Sequence, residues 1–516
     1  MERQRTTHLQ NELLVASLVA LAGFALYLRT LVPGLLGGDS GEFQTLTYLL
    51  GHTHPTGYPV YLFLAHPFQH LPIRDGAYRA NAFSALMGGI TLGALYLAAR
   101  TLTRHRGLAF TLTIAFALSP TFWSQALIAE VYTPAAAFFT AILALLLHWE
   151  RTRTTSFLLA AGFLGGWSLG VHMTVALLAP AVLLLLWGKA RQPRPWAMAA
   201  GAAILGLLMT LALFWWIDAR QSPADYFRLV VEPSASAWGL SPQDVDEPWE
   251  RLRFHWTAQQ FRPYMLQFHP LPEQARWYFR HLPQELGWPI LGLALWGFVA
   301  LARHHSLRAA FLGLALLTQW LFTLTYTIWD LYVFLIPGYI LIVLLAAAGA
   351  DALVHRGVIL QVPQMGVVLL LVLLLLAGSL QHAPRVRHAI TQGGPPSFPF
   401  EEYPTYDARL PERVRPLIAD LPSGAILLTD WDMLWPYAYI AYVEMDRRDV
   451  RFIETRPRDD RPEIAGSLIH YIRSHLSDHP VFISTRDREL REKGFRLIPT
   501  RVGGARLYKI TRRTSE

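Results

Sequence analysis

Long apolar runs separated by short polar connections dominate the first three quarters of the chain. A helix crossing about 30 Å of hydrocarbon needs roughly 20 apolar residues. Runs near that length fall at 13–35, 80–101, 108–123, 131–148, 156–171, 174–188, 196–217, 286–302, 309–327, 331–350 and 363–381, so the pattern predicts about eleven membrane-spanning helices. From about 385 the pattern changes. Short apolar stretches at 425–429, 451–454, 481–484 and 506–510 read as strands, with an amphipathic helix at 464–476 between them; this alternation predicts a small α/β domain. The expected division is therefore a transmembrane domain over 1–384, carrying outer loops at 36–79 and 218–284, and an α/β domain over 385–516.

The charges fix an expected orientation. Arg3 and Arg5 precede the first run, and Arg104, Arg106, Arg151, Arg153, Lys189, Arg191, Arg194, Arg303, Arg308, His355 and Arg356 fall in alternate connections. The positive-inside rule places all of these in the cytoplasm. The N-terminus is then inside, the first run is a retained signal anchor, and everything after about 385 is outside. Pro-containing stretches at 393–404 and 242–263 read as linkers or surface loops.

Composition supports this picture. Of 516 residues 53% are hydrophobic and 16% charged, with a mean hydropathy of +0.28, too apolar for a soluble chain of this size. The net charge of +8 belongs to lipid headgroups and insertion topology rather than nucleic acid. Cysteine is absent, which excludes disulfides and thiolate chemistry. No phosphate-cradling Gly-x-x-x-x-Gly-Lys loop, Gly-x-Ser-x-Gly elbow or His-Glu-x-x-His helix occurs, so ATP hydrolysis, serine hydrolase and zincin chemistry are not expected.

The densest candidate chemistry directly follows the first run, where Gly37-Gly38-Asp39-Ser40-Gly41-Glu42-Phe43 is succeeded by Gly51-His52-Thr53-His54-Pro55-Thr56-Gly57-Tyr58-Pro59. Titratable groups at a membrane edge are costly and usually functional. The Asp39 to Glu42 spacing also fits a capping box, and residues three apart can serve both purposes on one helical face. The segment 43–50 is too short to span. It is expected to lie at the interface and return the His-Thr-His-Pro turn toward Asp39. The residues Asp39, Glu42, His52 and His54 would also make an oxygen and nitrogen ligand set for a divalent cation, although none is required.

Several motifs in order resemble one family. These are Gly38-Asp39-Ser40-Gly41-Glu42, His54-Pro55-Thr56-Gly57-Tyr58-Pro59, Tyr78-Arg79-Ala80-Asn81-Ala82-Phe83-Ser84, Ser119-Pro120-Thr121-Phe122-Trp123-Ser124-Gln125 and Glu130-Val131-Tyr132. Looser matches follow at Trp329-Asp330-Leu331-Tyr332 and at 421–430. The chain resembles a family of membrane protein O-mannosyltransferases, formerly classed as a domain of unknown function, within the GT-C superfamily. The family's usual pair of histidines is here a single one, His172.

This resemblance implies a polytopic helical GT-C-like bundle that transfers a sugar, mannose in the family, from a polyprenyl-phosphate donor to an outer acceptor with inversion, the acceptor being a Ser or Thr hydroxyl of a secreted or membrane protein. GT-C enzymes carry the catalytic acid in the first outer loop. Asp39 holds that position and is the expected general base, with Glu42 as the alternative or as its support. A guanidinium suits a departing phosphate, which makes Arg79 the expected donor-phosphate ligand, unless it is an interfacial anchor. His52, His54, Tyr58, His172, Glu130, Tyr132 and Asp330 are the further candidates for donor phosphate or sugar. Asp430 and Asp432, just past a predicted strand, are either ligand-binding or turn residues. A transporter or flippase of lipid-linked sugars is the alternative from another class, though no inverted repeat supports it; a non-enzymatic scaffold would leave the membrane-edge acids without a purpose.

Overall fold

The computed structural model describes every residue except 1, 191, 360, 401–402, 459 and 513–516, together with the side chains of 2–9 and 358–359. Of the charges used for orientation, Arg191 and the side chains of Arg3 and Arg5 lie outside the described residues.

By contact the chain forms two compact units, and they do not follow the expected division at 384. One contains 1–32, 81–210 and 264–403; the other gathers 33–80, 211–263 and 404–516. The two polar loops expected from the sequence thus fold largely with the C-terminal region.

The first unit is helical. Among the described residues of the chain, seven helices are long and apolar enough to cross a membrane: Gln10–Arg29, Gly76–Leu102, Tyr132–Thr152, Pro193–Asp218, Ser306–Thr323, Leu331–Gly357 and Gln364–Thr391. An eighth candidate is the pair Leu271–Leu286 and Trp288–His304, bent by 107°. The bend sits where Pro283 lies inside the first helix and Gly287 follows it at φ 77°, a backbone state that glycine adopts without a Cβ clash. Each of the eleven apolar runs falls on a helix, but the count of eleven spans is not confirmed. Arg106–Ala117, Thr155–Gly170 and Met173–Lys189 are apolar yet short of a full span.

Burial explains which helices face lipid. The Leu331–Gly357 span is 83% buried, whereas Pro193–Asp218 and Gln364–Thr391 are only 17% buried despite their hydropathy. Ile204, Leu205, Leu208, Leu369, Leu370 and Leu373 are each about half exposed. So much exposed aliphatic surface is stable only against hydrocarbon, and the protein is a multi-pass membrane protein. In the core, Gly297 and Gly349 let two helices touch: a Cβ on either would come within 2.0 Å of a carbonyl oxygen, on Leu345 and Leu293 respectively. Small residues at such crossings replace the missing hydrophobic drive between membrane helices with close packing. Basic helix ends are tied by acids. Glu12 pairs with Arg100 at 3.0 Å and Arg106 at 2.9 Å, and Glu150 pairs with Lys189 at 2.6 Å and Arg308 at 2.5 Å.

The second unit holds a five-stranded sheet: β1 (Ile426–Thr429), β2 (Arg451–Glu454), β3 (Val481–Ile483), β4 (Phe495–Val502) and β5 (Ala505–Arg512). Their order is β2-β1-β3-β5-β4. β1 pairs in parallel with β2 and β3, and β5 pairs antiparallel with β3 and β4. The helix Gly466–His475 packs Leu468, Ile469 and Ile472 into the core beside Ile426, Ile453 and Ile483. The expected helix and four of the strands are present, as is the α/β character. β4 was missed, because it is an edge strand with a half-exposed, mostly polar run interrupted by Pro499, a residue tolerated only at edges. Gly503 and Gly504, both at positive φ, form the two-residue turn that pairs it with β5.

Candidate functional site

The acid and histidine segment lies in the second unit, and glycines decide its approach. The helix Gly38–Leu49 begins with Gly37 as its cap. A Cβ on Gly37 would stand 2.6 Å from the Asp432 carbonyl oxygen. One on Gly41 would stand 2.6 Å from the Leu36 oxygen and 3.2 Å from the Trp435 Cβ. Gly38 has φ 58°. The glycines of the first motif thus allow the start of this helix to lie directly against the helix Trp431–Ala438 that follows β1. Gln44 fixes the lead-in, accepting from the Leu36 N–H at 2.9 Å and donating to the Gly34 carbonyl at 3.2 Å.

No side chain caps this helix, so the capping-box alternative does not hold. The two acids are used elsewhere. The half-buried Asp39 accepts a hydrogen bond through Oδ1 from the Trp431 indole N–H at 2.6 Å. Its Oδ2 has no partner among the described residues. Glu42, fully buried, accepts from the His54 backbone N–H through Oε1 at 2.8 Å, and its Oε2 meets His54 Nδ1 at 2.5 Å.

Chain geometry brings His54 back. From Glu42 to Leu50 the helix rises about 12 Å at 1.5 Å per residue, and the four residues to His54 reach at most about 14 Å when extended. Leu50 reverses direction in the left-handed region, φ 56°. Residues 50–53 have no regular structure, so the return fits only as a nearly straight run. The turn therefore returns to the helix, but His54 bonds to Glu42 rather than to Asp39.

Beyond Glu42 the chain of contacts continues from His54 Nε2 to the Tyr58 hydroxyl at 3.2 Å, and Tyr58 donates to the Pro55 carbonyl at 3.1 Å. If Tyr58 donates there, Nε2 carries a proton, and the 2.5 Å contact holds either an imidazolium with a carboxylate or a neutral imidazole with a protonated Glu42. Burial pushes Glu42 up to about 7, against the opposing pull of His54. Phe43, Phe261 and Trp431 surround the His54 ring at 5.7, 6.0 and 6.1 Å between centroids.

His52 points into a different set of contacts. Its Nε2 lies 3.1 Å from Asp218 Oδ1, and Asp218 is also held by Arg251 at 2.6 and 2.8 Å. Its backbone N–H donates to Asp225 at 2.9 Å. Next to it His255 is fully buried with neither ring nitrogen hydrogen-bonded among the described residues, and burial holds it well below the ordinary imidazole range. The four-residue cation set is not assembled: His52 and His54 sit in separate pairs, and no group of three metal-ligating side chains is placed to hold an ion among the described residues.

Arg79 stands at the start of the Gly76–Leu102 helix and grips the preceding loop. Its Nη1 donates to the Gln69 and Leu71 carbonyls at 2.6 and 3.1 Å, and its Nε donates to the Asp75 backbone carbonyl at 3.0 Å. Nη2 has no partner among the described residues. The remaining candidates lie in the first unit. Tyr132 donates to Asp330 Oδ2 at 2.9 Å, its ring is 5.7 Å from that of His172, and Phe334 packs against both rings at 5.6 and 5.7 Å. His172 Nδ1 is 2.6 Å from the Thr174 hydroxyl. Glu130 is nearly buried, and its backbone is bonded to Ser84. The structure thus brings Tyr132, Asp330 and His172 together, and separately Asp39, Glu42, His54 and Tyr58. Asp430 is the cap of its helix, accepting from the Met433 N–H at 2.9 Å. Burial and the neighbouring Asp430 and Asp39 carboxylates raise the Asp432 carboxyl.

Residues that sequence reasoning missed include Trp431, Arg251, His255 and Glu285. Trp431 lies between the two acids that were singled out, and its position past a predicted strand was the available signal. Glu285 explains the Ser-Pro-Thr-Phe-Trp-Ser-Gln motif: it accepts from the Ser119 hydroxyl at 2.5 Å and the Thr121 hydroxyl at 2.7 Å.

Comparison with known proteins agrees with the motifs. Residues 39–196 match the family model of the protein O-mannosyl-transferase TMEM260 N-terminal domain. The protein O-mannosyl-transferase TMEM260 of Mus musculus is 28% identical over 150 residues, 29% of this chain and 21% of that protein. The corresponding protein of Dictyostelium discoideum is 26% identical over 131 residues, 25% of this chain and 16% of its own length. The matched region thus spans about a fifth of these relatives. Among solved structures, ArnT from Cupriavidus metallidurans in the apo state superposes with a TM-score of 0.55 at 12% identity, covering 98% of both chains, a likeness of fold. The family resemblance read from the motifs is therefore borne out: over 39–196 the chain is similar to the N-terminal domain of the protein O-mannosyl-transferase family, on a GT-C-like fold.

Proposed function

We propose that the protein is an inverting glycosyltransferase that moves a sugar, mannose by the analogy of its relatives, from a polyprenyl-phosphate donor to a Ser or Thr hydroxyl of an extracytoplasmic protein. The observation that carries this reading is Asp39: a half-buried carboxylate with one oxygen fixed by an indole N–H and the other unengaged. A general base needs that division between a held atom and a working atom. In the reaction, the acceptor oxygen attacks the anomeric carbon opposite the phosphate, the bond to phosphate breaks with its electron pair, and Oδ2 takes the hydroxyl proton. Glu42 supports this helix end from within through His54.

Arg79 is assigned to the donor phosphate, where its Nη2 has a donor to offer. His54 and Tyr58 are assigned to the donor's sugar or phosphate within the second unit; Glu130, Tyr132, His172 and Asp330, the further candidates, lie in the first unit. The paired position of His52 makes it the weakest of the set, better suited to holding the loop. No cofactor is needed by this reading. The membrane is assigned as the plasma membrane, with the N-terminus cytoplasmic and the C-terminal region outside. The test is to incubate the purified protein with polyprenyl-phosphate mannose and Ser/Thr peptides and to look for covalent sugar on peptide. Wild type is expected to form an inverted glycoside, and Asp39→Asn none. Movement of lipid-linked sugar across vesicles without peptide product would favour the transporter instead.

A further inference from the structure

We infer that Trp431, supplied by the C-terminal segment, is a positioning residue for the base: its indole N–H fixes Asp39 Oδ1 so that Oδ2 faces the acceptor. This rests on the reading of Asp39 as the general base.

Four observations converge on it. The bond is short, 2.6 Å from Nε1 to Oδ1, in the range of a donor to a charged acceptor. The ring is itself held: Trp435, Tyr226 and His54 meet it near edge-on at 5.5, 6.1 and 6.1 Å between centroids, so Trp431 touches both the Asp39 and the Glu42–His54 branches. Its backbone is fixed in the first turn of a helix capped by Asp430 directly after β1. The facing helix is shaped to receive it, since Gly37 and Gly41 leave no room for a Cβ against Asp432 and Trp435. A rotamer-locked donor on a rigid element is what holding a catalytic atom requires. An indole is also a donor only, so it cannot compete for the proton that Oδ2 collects.

The test compares Trp431→Phe, which keeps the ring and removes the donor, with Trp431→Gln, whose amide reaches about as far as the indole nitrogen and restores it. With polyprenyl-phosphate mannose and a Ser/Thr peptide, Trp431→Phe is expected to lower kcat about 10- to 100-fold with both KM values unchanged within about twofold, and Trp431→Gln to recover most of the loss. Full activity in Trp431→Phe, a loss confined to KM, or a Gln variant no better than Phe would overturn the inference. Asp39→Asn in the same assay separates the two ideas: if it is inactive while Trp431→Phe is fully active, only the positioning role falls. If Asp39→Asn is active, the base assignment falls. A readout without turnover is the double variant Asp39→Ala/Trp431→Phe, in which each single change removes the bond and whose change in Tm is expected to fall short of the sum of the single changes; additive changes would contradict the contact itself.

Discussion

Two carboxylates three residues apart end in opposite circumstances, and that contrast is the chemistry of the segment. Asp39 keeps one oxygen open, whereas Glu42 spends both on His54 inside the protein. Because burial lifts Glu42 from 4.5 to about 7, the folded state binds a proton that the unfolded chain has released between those values. Stability is therefore expected to fall as pH rises from about 4.5 through about 7 and to level off above it. Thermal unfolding of wild type against Glu42→Gln checks this, the variant being expected to lose most of that slope. The importance of Asp39 and Glu42 was legible in the sequence because their spacing after an apolar run is unusual. Their division of labour was not, because the deciding partners, Trp431 and His54, are 392 and 12 positions away. His52 and His54 illustrate the same limit: two residues apart, they would share a face of a regular extended segment, yet in this irregular return one meets Asp218 and the other Glu42, which two letters in a motif do not reveal.

At the scale of elements, the decisive event is the contact between the helix Gly38–Leu49 and the helix after β1. Gly41→Ala places a methyl 2.6 Å from the Leu36 carbonyl, and overpacking of this kind costs about 1–3 kcal/mol, measurable by chemical or thermal unfolding. Gly37→Ala meets the Asp432 carbonyl and is expected to displace Trp431 from Asp39, lowering turnover more than stability. The end of the Pro193–Asp218 helix is fastened by Asp218 to Arg251 and His52. Removing one partner of such a nearly buried pair strands the other charge, so Asp218→Asn is expected to destabilise by about 3 kcal/mol. Sequence periodicity marked the Pro193–Asp218 helix and four of the five strands, but not the helices Gly38–Leu49 and Trp431–Ala438. The Gly-rich spacing was visible too, but its purpose was not, since it answers to a surface contributed from the far end of the chain.

For the whole molecule, each of the eleven apolar runs falls on a helix and the change to an α/β region is present, yet the count of eleven spans is not confirmed, because length decides whether an apolar helix can cross and three of these helices are short. Hydropathy also drew the division at 384, whereas the loops 33–80 and 211–263 fold with 404–516 in one unit. Loop-to-domain contacts of this separation leave no periodic trace. The consequence for function is that the segment 33–80 and the C-terminal region form one structural unit carrying Asp39, Glu42, His54 and Trp431. The most direct test of the account is sugar transfer from polyprenyl-phosphate mannose to a Ser/Thr peptide by wild type and Asp39→Asn, each confirmed folded by its thermal transition. The account predicts product with wild type and a loss of at least about 100-fold in the isosteric variant; undiminished product from folded Asp39→Asn would contradict it.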